Sequence, residues 1–324
     1  MDHFVEDKGK SVIVELEGES EKINFDDLKS GGFIKQKQKD LFTVRLRCPG
    51  GSMPTDKLVE ISKIAKKYSK TGEVHFSFRQ SLEILHVDYN DFGKIVEEIK
   101  GVGWQVASCG PRVRVPTACG GCSYNPNGLT DTQGMANMVD EKYFGNPTHH
   151  KFKMSFSGCP IDCARTNEMD LGFQGVISPE WKEPLCTGCT ICAEVCKEDA
   201  IVADPDTGKP IFDEKKCIYC ADCIRACPTE AWVEKRKGHL VRIGGKHGRH
   251  PVNGSMVAIF IPDEKVPEVI ERTIEWYREK GKRGERIATT LSRVGLDDYK
   301  KFMGSTFEGY EVPDHLEGII WQTK

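Results

Sequence analysis

Two runs of cysteines constrain this chain more than any other feature of its sequence. They are CTGCTICAEVC and CIYCADCIRACP, which together fill much of residues 186–227. Each run has the spacing C-x2-C-x2-C-x3-C, in which a short loop places three thiolates around one cubane while the fourth cysteine serves the neighbouring cluster. The spacing therefore predicts two [4Fe–4S] clusters with crossed ligation. The expected ligands are Cys186, Cys189, Cys192 and Cys196 from the first run, and Cys217, Cys220, Cys223 and Cys227 from the second.

Disulfide bonds and zinc sites are the two other common uses of closely spaced cysteines. Disulfides need an oxidising compartment, and the N-terminus, MDHFVEDKGK, is charged where a secretory signal would be basic and then apolar. Zinc sites rarely use triple C-x2-C-x2-C runs. We therefore favour iron–sulfur clusters in a cytoplasmic protein. No membrane span is expected, because no apolar run is longer than about six residues.

The charge balance limits the kinds of ligand that the chain can attract. With 46 Lys and Arg against 49 Asp and Glu, the formal net charge is −3. This gives no basic field for nucleic acid, so none is expected as a partner. Any anion site must be built locally from a few cationic side chains.

The segment before the cysteine runs alternates short strands with helices. Residues 42–46 alternate apolar and polar side chains, which predicts a half-buried strand with Arg45 and Arg47 on the polar side. The elements expected after it are a helix at 58–68, strands at 74–78 and 83–87, a helix at 92–99 and a strand at 104–107. This β-α-β-β-α-β order predicts a split βαβ, ferredoxin-like sandwich.

Two further cysteine pairs lie outside the runs. Cys119 and Cys122 belong to ACGGC, and Cys159 and Cys163 belong to SGCPIDC. Four thiols in two pairs are enough for a third cluster, although scattered buried thiols are a common alternative.

Lysines precede the second of these pairs. Lys151 and Lys153 alternate with apolar residues, so a strand over 151–156 would point both ammonium groups to the same side. Farther along, residues 257–261 predict a buried strand, and residues 266–277 predict an amphipathic helix packed on it.

In its motifs the chain resembles the siroheme-dependent sulfite and nitrite reductases, and among them the short forms that contain a ferredoxin module. These forms include the C subunit of anaerobic sulfite reductase, the catalytic half of deazaflavin-dependent sulfite reductase and, more distantly, the subunits of dissimilatory sulfite reductase. The motifs cover roughly residues 33–262 in the family's order. They are VRLRCPGG, FRQ, GPRVR, HKFK, SGCPIDC and IGGKHGRHP.

The resemblance implies specific roles for individual residues. In such enzymes a [4Fe–4S] cluster shares a cysteine thiolate with the siroheme iron, and a basic pocket holds the oxyanion. Cys163 matches the shared ligand. The substrate-side cations match Arg45, Arg112, Lys151 and Lys153. Siroheme would be held by Arg79, assisted by Arg47 and Arg114, and by Lys246, Arg249 and His250. The last three belong to a basic segment around a glycine pair, which is either a surface loop or a turn that approaches the macrocycle's carboxylates.

The first cysteine pair departs from the family pattern. Relatives have C-x5-C, whereas here Cys119 is followed by Cys122, and position 125 is Asn125. Both cysteines are candidate ligands. If only one of them binds iron, the cluster needs a non-thiolate ligand or Cys109.

The predicted fold class is α+β, with four parts. These are an N-terminal arm at 1–34, a ferredoxin-like half-domain at 35–110, a siroheme-binding α/β domain at 111–180 and 238–324, and an inserted two-cluster bacterial ferredoxin module at 181–237. The implied cofactors are siroheme and three [4Fe–4S] clusters, one coupled to siroheme and two of ferredoxin type.

Six-electron reduction of sulfite to sulfide is the expected activity. Nitrite reduction to ammonia uses the same cofactors and cations, so it is kept as an alternative. A catalytically silent electron-transfer subunit is the other alternative. Since the sequence has no G-x-G-x-x-G after a strand and no flavin signature, a separate electron-donor protein or subunit is expected. Larger members of the family contain two copies of the unit, whereas this chain carries one, so a homo-oligomer or heteromeric complex is expected.

Overall fold

The computed structural model describes residues 5–7, 11–16, 19–24, 28–29, 31–38 and 40–317. The chain divides into two compact units. The first comprises residues 1–117 and 137–153, and the second comprises residues 118–136 and 154–324. Helices and sheets are mixed in the chain, which confirms the predicted α+β class.

Strands in the described part of the chain are numbered in order. They are β1 (Val5–Asp7), β2 (Ser11–Leu16), β3 (Glu19–Asn24), β4 (Phe33–Lys35), β5 (Leu41–Arg45), β6 (Val74–Phe76), β7 (Leu82–Asp88), β8 (Thr117–Ala118), β9 (Met154–Ser157), β10 (Leu171–Trp181), β11 (Ile201–Ala203), β12 (Pro210–Phe212), β13 (Trp232–Ile243) and β14 (Ser255–Ile261). The α-helices there span Thr55–Tyr68, Phe92–Gly101, Gly121–Tyr124, Thr132–Tyr143, Ile191–Val195, Asp222–Ala226, Val266–Lys280, Ile287–Val294, Leu296–Met303 and Asp314–Glu317.

The first unit contains an antiparallel sheet ordered β4-β5-β7-β6, with the helices Thr55–Tyr68 and Phe92–Gly101 contributing to the same core. Val44 and Ile84 from the sheet and Ile61 and Ile95 from the helices are fully buried. Strand alternation and helical spacing thus place their apolar residues in one core, as the sequence predicted. Within the predicted arm, β1, β2 and β3 form a separate three-stranded antiparallel sheet.

Two of the predicted strands in this unit are wrong in extent. Residues 104–107 pair only briefly, just beyond β4's partners on β5: Leu46 and Val106 form a single bridge, with backbone hydrogen bonds from Ala107 to Arg45 and from Arg47 to Gln105. The strand predicted at 74–78 ends at Phe76, since the Gln80 amide donates to the Ser77 carbonyl and closes a turn.

The second unit is built on the sheet β14-β13-β10-β9-β8, in which β9 is parallel to β10 and the long β10–β13 pair is antiparallel. This ladder runs from Leu171 opposite Ile243 to Trp181 opposite Trp232. Residues 182–231, which include both cysteine runs, therefore lie between its paired ends. The predicted strand at 257–261 is confirmed within β14, and the predicted apolar face of the helix Val266–Lys280 is buried.

The inserted segment repeats its own backbone path. Residues with a left-handed backbone (positive φ) in its first half recur 31 positions later in its second half. For a residue other than glycine, this conformation costs of order 1–3 kcal/mol. The corresponding pairs are Gly188 and Tyr219, Thr190 and Ala221, and Asp199 and Glu230. Thr190 and Ala221 each precede a short helix, Ile191–Val195 and Asp222–Ala226. Such conformations persist where the surrounding structure fixes them, which is typical of loops that clamp a ligand.

No helix among the described residues is both long and apolar enough to cross a membrane.

Candidate functional site

All 14 cysteines of the chain are free thiols. Among residues 28–29, 31–38 and 40–317, no three His, Cys, Asp or Glu side chains converge as they would on a single metal ion. A cubane is held differently, because its four thiolates bind four separate irons around a core of appreciable size. The relevant observations are therefore which thiols surround a common space and which groups point at them.

One group of thiols forms where the strand ends of β8 and β9 meet. The Cys119 sulfur accepts N–H hydrogen bonds from Gly121 at 3.4 Å and from Gly158 at 3.1 Å. Gly158 is required here, since an added Cβ would lie 2.8 Å from the Cα of Gly121. The two cysteine segments that the sequence predicted to come together are thus in direct contact.

Cys159 belongs to the same group of thiols. Burial raises the pKa of its thiol, and the nearby sulfurs of Cys119 and Cys163 raise it further. Cys122 follows on the helix Gly121–Tyr124 with an exposed side chain. Cys119, Cys159 and Cys163 are therefore neighbours, and the side chains of Cys122 and Cys163 are both exposed.

Two polar residues that the sequence did not single out hold Cys119 in place. Thr132 donates its hydroxyl to the Cys119 carbonyl at 2.7 Å, and the Gln133 amide donates to the same oxygen at 2.9 Å. Both lie at the start of the helix Thr132–Tyr143. A polar Thr-Gln pair at a helix start is too common in sequences to have predicted this contact.

The two cysteine runs meet at a cavity of about 250 Å³. Cys196, the last cysteine of the first run, lines it together with Cys217, Cys220 and Cys223 from the second run. This is the grouping that crossed ligation requires. Cys159 lines the same cavity, so predicted ligands of two different clusters face one space.

The thiols around this cavity are buried where charge is unfavourable. The pKa of Cys217 is raised to about 11 and that of Cys220 and Cys223 to about 12, with burial as the largest cause and nearby sulfurs contributing to the rise. Such a set can hold several thiolates only if positive charge sits among them. The donor chemistry therefore fits an iron–sulfur cluster, whose irons bind thiolates.

Backbone donors aim at two more of these sulfurs. The Tyr219 amide donates to the Cys217 sulfur at 3.4 Å, and the Ala231 amide donates to the Cys227 sulfur at 3.2 Å. At Cys227, burial raises the pKa, but the hydrogen bonds from the backbone outweigh it, so the pKa is lowered. N–H···S hydrogen bonds of this kind tune the potential of clusters bound to cysteine.

The first unit assembles the predicted cations on adjacent segments. Val113 and Phe152 form a parallel bridge and are both buried, with the Arg114 amide donating to the Phe152 carbonyl at 2.8 Å. Because side chains alternate along extended segments, the residues on either side of this bridge share the opposite face. Those residues are Arg112, Arg114, Lys151 and Lys153. The strand predicted over 151–156 begins only at Met154, so the lysines precede it.

Arg114 shows that like charges are crowded here. Burial lowers the pKa of its guanidinium, and the neighbouring charges of Arg45 and Arg112 lower it further, whereas Cys109 raises it. A group of mutually repelling cations fits an anionic ligand, such as a macrocycle with several carboxylates or a small oxyanion. Cys109 lies beside these arginines, with its sulfur 3.3 Å from the Arg45 Nη1.

The two strand arginines have carboxylate partners. Arg45 binds Glu83 at 2.7 Å, and Arg47 binds Asp140 at 2.7 Å while its guanidinium stacks on the ring of Phe144. Neither acid was predicted from the sequence, although an acidic residue in a buried strand or helix face is a usable signal for a buried ion pair.

Arg79 is held by the backbone in the first unit. It follows β6 in the turn before β7, and its Nη2 donates to the Val115 carbonyl at 2.7 Å. This carbonyl belongs to the segment that also carries Arg112 and Arg114.

The basic segment around the glycine pair Gly244 and Gly245 forms a turn in the second unit, and it packs against the residues that follow Cys163. Gly245 permits this approach, because an added Cβ would lie 2.3 Å from the Asn167 carbonyl oxygen. Lys246 and Val252 close the turn with two reciprocal backbone hydrogen bonds of 2.8 Å. The cations predicted to hold siroheme differ in exposure, since Lys246 is half-buried while Arg249 and His250 are exposed.

Two protein-family models match the chain and define its class. The model of the "Nitrite/Sulfite reductase ferredoxin-like half domain" matches residues 34–102, and the model of the "Nitrite and sulphite reductase 4Fe-4S domain" matches residues 109–308. The chain therefore belongs to the nitrite and sulphite reductase family, as the ordered motifs predicted.

Individual relatives are sulfite reductases. The chain is 33% identical over 275 residues to the coenzyme F420-dependent sulfite reductase of Methanocaldococcus jannaschii, an alignment covering 84% of this chain and 43% of that protein. It is 27% identical over 254 residues to the C subunit of anaerobic sulfite reductase from Salmonella typhimurium, covering 73% and 74%. The chain thus spans less than half the length of the first relative.

The fold has a counterpart among solved structures. The crystal structure of dissimilatory sulfite reductase I (DsrI) matches with a TM-score of 0.70 at 22% identity, covering 88% of this chain and 72% of that one. This likeness supports the fold.

Proposed function

We propose that the protein is a siroheme-dependent sulfite reductase, which takes sulfite to sulfide with six electrons relayed through ferredoxin-type clusters. The observation that carries this proposal is the pairing of two features in one chain of this family. These are the thiol group of Cys119, Cys159 and Cys163 and the cationic face of Arg112, Arg114, Lys151 and Lys153. When bound, siroheme coupled to a cluster supplies a metal that binds sulfur and a store of electrons.

The four cysteines outside the runs would hold the coupled cluster, with Cys163 as the thiolate shared with siroheme. Cys119 is the better-supported ligand of the first pair, because two backbone amides already point at its sulfur. Cys122 is exposed and belongs to the set by its spacing. Cys109 is the weaker substitute, since its sulfur contacts Arg45.

The cationic side chains divide between substrate and macrocycle. Arg45, Arg112, Lys151 and Lys153 would bind the oxyanion, and the lysine ammonium groups can also deliver the protons that its reduction consumes. Arg45 also forms an ion pair with Glu83 at 2.7 Å, which neutralises much of its charge. The siroheme carboxylates would be held by Arg47, Arg79, Arg114, Lys246, Arg249 and His250.

The inserted segment, residues 181–237, would be a two-cluster ferredoxin module. Cys159 and Cys220 line the same cavity, and the Ile177 amide next to them donates to the Tyr219 carbonyl at 3.0 Å. The cluster site of Cys196, Cys217, Cys220 and Cys223 is therefore the inner one. The site of Cys186, Cys189, Cys192 and Cys227 would receive electrons from a separate donor protein or subunit.

The deciding experiment is anaerobic purification followed by spectroscopy and kinetics. We expect siroheme absorption bands that sulfite perturbs, about 12 cluster irons per chain on four irons per cubane in addition to the siroheme iron, and sulfide production with a low-potential dye. Faster turnover of nitrite than of sulfite would favour the nitrite reductase alternative. A preparation that lacks siroheme but keeps eight irons would favour an electron-transfer subunit.

A substitution of Cys163 tests whether this cysteine is the thiolate shared by the cluster and siroheme. Cys163→Ser should uncouple the two cofactors, so that about eight cluster irons remain, on four irons per cubane, while siroheme is lost or becomes magnetically isolated. Cys48→Ser is the matched control, because Cys48 is a buried cysteine of the other unit with no proposed ligand role. A normally coupled centre with full iron in Cys163→Ser would exclude this cysteine as the bridge.

A further inference from the structure

A buried arginine in β13 has fewer partners than its charge requires. Arg242 is only 6% exposed, and within the described part of the chain its Nε is buried without a hydrogen-bond partner. Its Nη2 lies 3.5 Å from the Gln174 Oε1, which is the outer limit of a hydrogen bond. Removing a guanidinium from water is unfavourable unless opposite charge and hydrogen bonds compensate for the lost hydration.

The charge nearest to Arg242 offers only partial compensation. Burial lowers the pKa of the guanidinium, and the carboxylate of Asp162 raises it. The Asp162 carboxylate is already engaged, because it accepts backbone N–H hydrogen bonds from Thr166 at 2.9 Å and Asn167 at 3.4 Å. A further negative charge near Arg242 is therefore needed to explain why a cation is kept at this buried position.

The contacts of Arg242 lead to the proposed cluster ligands. Gln174, which Arg242 contacts, points its Nε2 at the Cys159 carbonyl oxygen at 3.5 Å. Asp162 lies between Cys159 and Cys163 in sequence. The arginine thus lies behind the SGCPIDC loop, on the β10–β13 pair, where a charge on the cluster would act on it.

We propose that Arg242 is a positioning residue that counters the negative charge of the cluster bound through Cys159 and Cys163, with Gln174 between them. This inference rests on the proposed function, which supplies that cluster. Reduction adds one negative charge to a cluster that already carries four thiolates. A fixed cation therefore favours the reduced form, so Arg242 should raise the midpoint potential of this cluster above that of a neutral variant.

The test is a redox titration of the holoprotein in which electron paramagnetic resonance measures the fraction of reduced cluster at each potential. In Arg242→Met the ratio of reduced to oxidised cluster at a fixed potential should fall at least tenfold, which is about 59 mV for a one-electron couple. Arg242→Lys keeps the charge and should restore at least half of that shift. Arg236→Met is the matched control, since Arg236 is an exposed arginine of the same strand, and its potential should equal that of the wild type.

The outcomes separate this inference from the proposed function. An unchanged potential in Arg242→Met with full iron content would overturn the inference while leaving the reductase assignment intact. Loss of siroheme at an unchanged potential would also overturn it, because it would assign Arg242 to the macrocycle. Wild-type holoprotein without a cluster at Cys163 would overturn the proposed function itself. If Arg242→Met does not fold, Arg242→Gln provides the same neutral comparison.

Discussion

At the scale of single residues, two of the arginines predicted to bind ligands also form ion pairs within the fold. Arg45 and Arg47 each form an ion pair with a largely buried acid, Glu83 and Asp140 respectively. Arg112 instead lies near other cations, on the face that Lys151 and Lys153 share. The sequence motifs present all these residues as equivalent, because a motif records spacing and not the partner across the fold.

Lys153→Met should remove one cation from this face without disturbing the cofactors. We expect at least a tenfold fall in kcat/KM for sulfite, or about 1.4 kcal/mol of transition-state stabilisation, with unchanged iron and siroheme content. Steady-state kinetics with a reduced dye measure it. Lys66→Met, at an exposed position of the helix Thr55–Tyr68, serves as the control and should leave the rate unchanged. Equal kinetics in both variants would remove Lys153 from the substrate site.

Asp170→Asn should destabilise the second unit strongly. Asp170 is fully buried and receives two hydrogen bonds from Arg286, at 2.9 and 2.8 Å. Removing the carboxylate charge leaves a buried guanidinium without its counterion, which typically costs about 3 to 5 kcal/mol. Denaturant unfolding of the holoprotein measures this loss of stability.

An exposed ion pair provides the comparison for that measurement. Glu275→Gln breaks the contact of Glu275 with Arg272 on the surface of the helix Val266–Lys280, and it should cost less than about 1 kcal/mol. Similar losses in both variants would contradict a special role for the buried pair.

At the scale of elements, the last cysteine of the first run lies beside cysteines of the second run. Cys196 lies at the cavity of Cys217, Cys220 and Cys223, although its own run contains Cys186, Cys189 and Cys192. Cys196→Ser should therefore abolish the same paramagnetic signal as Cys217→Ser, because a serine oxygen is a poor ligand for a cubane. Spectra of the reduced proteins decide between the clusters. If Cys196→Ser instead matches Cys192→Ser, ligation is not crossed.

Just beyond the end of β14, a buried histidine of the neighbouring strand contacts an acidic residue. The Nε2 of His239, a buried residue of β13, lies 2.7 Å from Asp263 Oδ1. The hydrogen bond from His239 lowers the pKa of Asp263 below its ordinary value near 3.9. The stabilisation is therefore complete above about pH 4 and is lost as the pH falls through the lowered pKa.

Asp263→Asn tests that linkage. The melting temperature should fall relative to wild type at neutral pH, and the difference should shrink as the pH drops below about 4. Comparing the two proteins at each pH cancels effects that both share, such as acid loss of iron. A difference that is independent of pH would show that the carboxylate charge does not contribute.

At the scale of the whole molecule, the sequence contains one copy of a unit that, by the resemblance of its motifs, larger members of the family are expected to contain twice. We therefore expect the holoprotein to assemble from at least two chains, either of its own 36.3 kDa kind or with a different partner protein. Native mass spectrometry under anaerobic conditions measures the assembly. An active holoprotein with the mass of a single chain would contradict this prediction.

Much of the fold and of the site follows from the sequence alone. Periodicity determined the helices Thr55–Tyr68, Phe92–Gly101 and Val266–Lys280, because burial of one helical face requires apolar residues at a fixed repeat. Motif order determined the family. Cysteine spacing determined which residues are candidate ligands, since the short loops of a cluster site dictate the gaps between them.

Only the tertiary structure decided which of these residues meet. The shared cavity of Cys159, Cys196 and Cys220, and the buried position of Arg242 behind SGCPIDC, join segments far apart in the chain. The single bridge between Leu46 and Val106 likewise joins segments far apart in the chain. Local patterns report the periodicity of one segment and carry no information about its partner, because partners are selected by packing and hydrogen bonding across the whole fold.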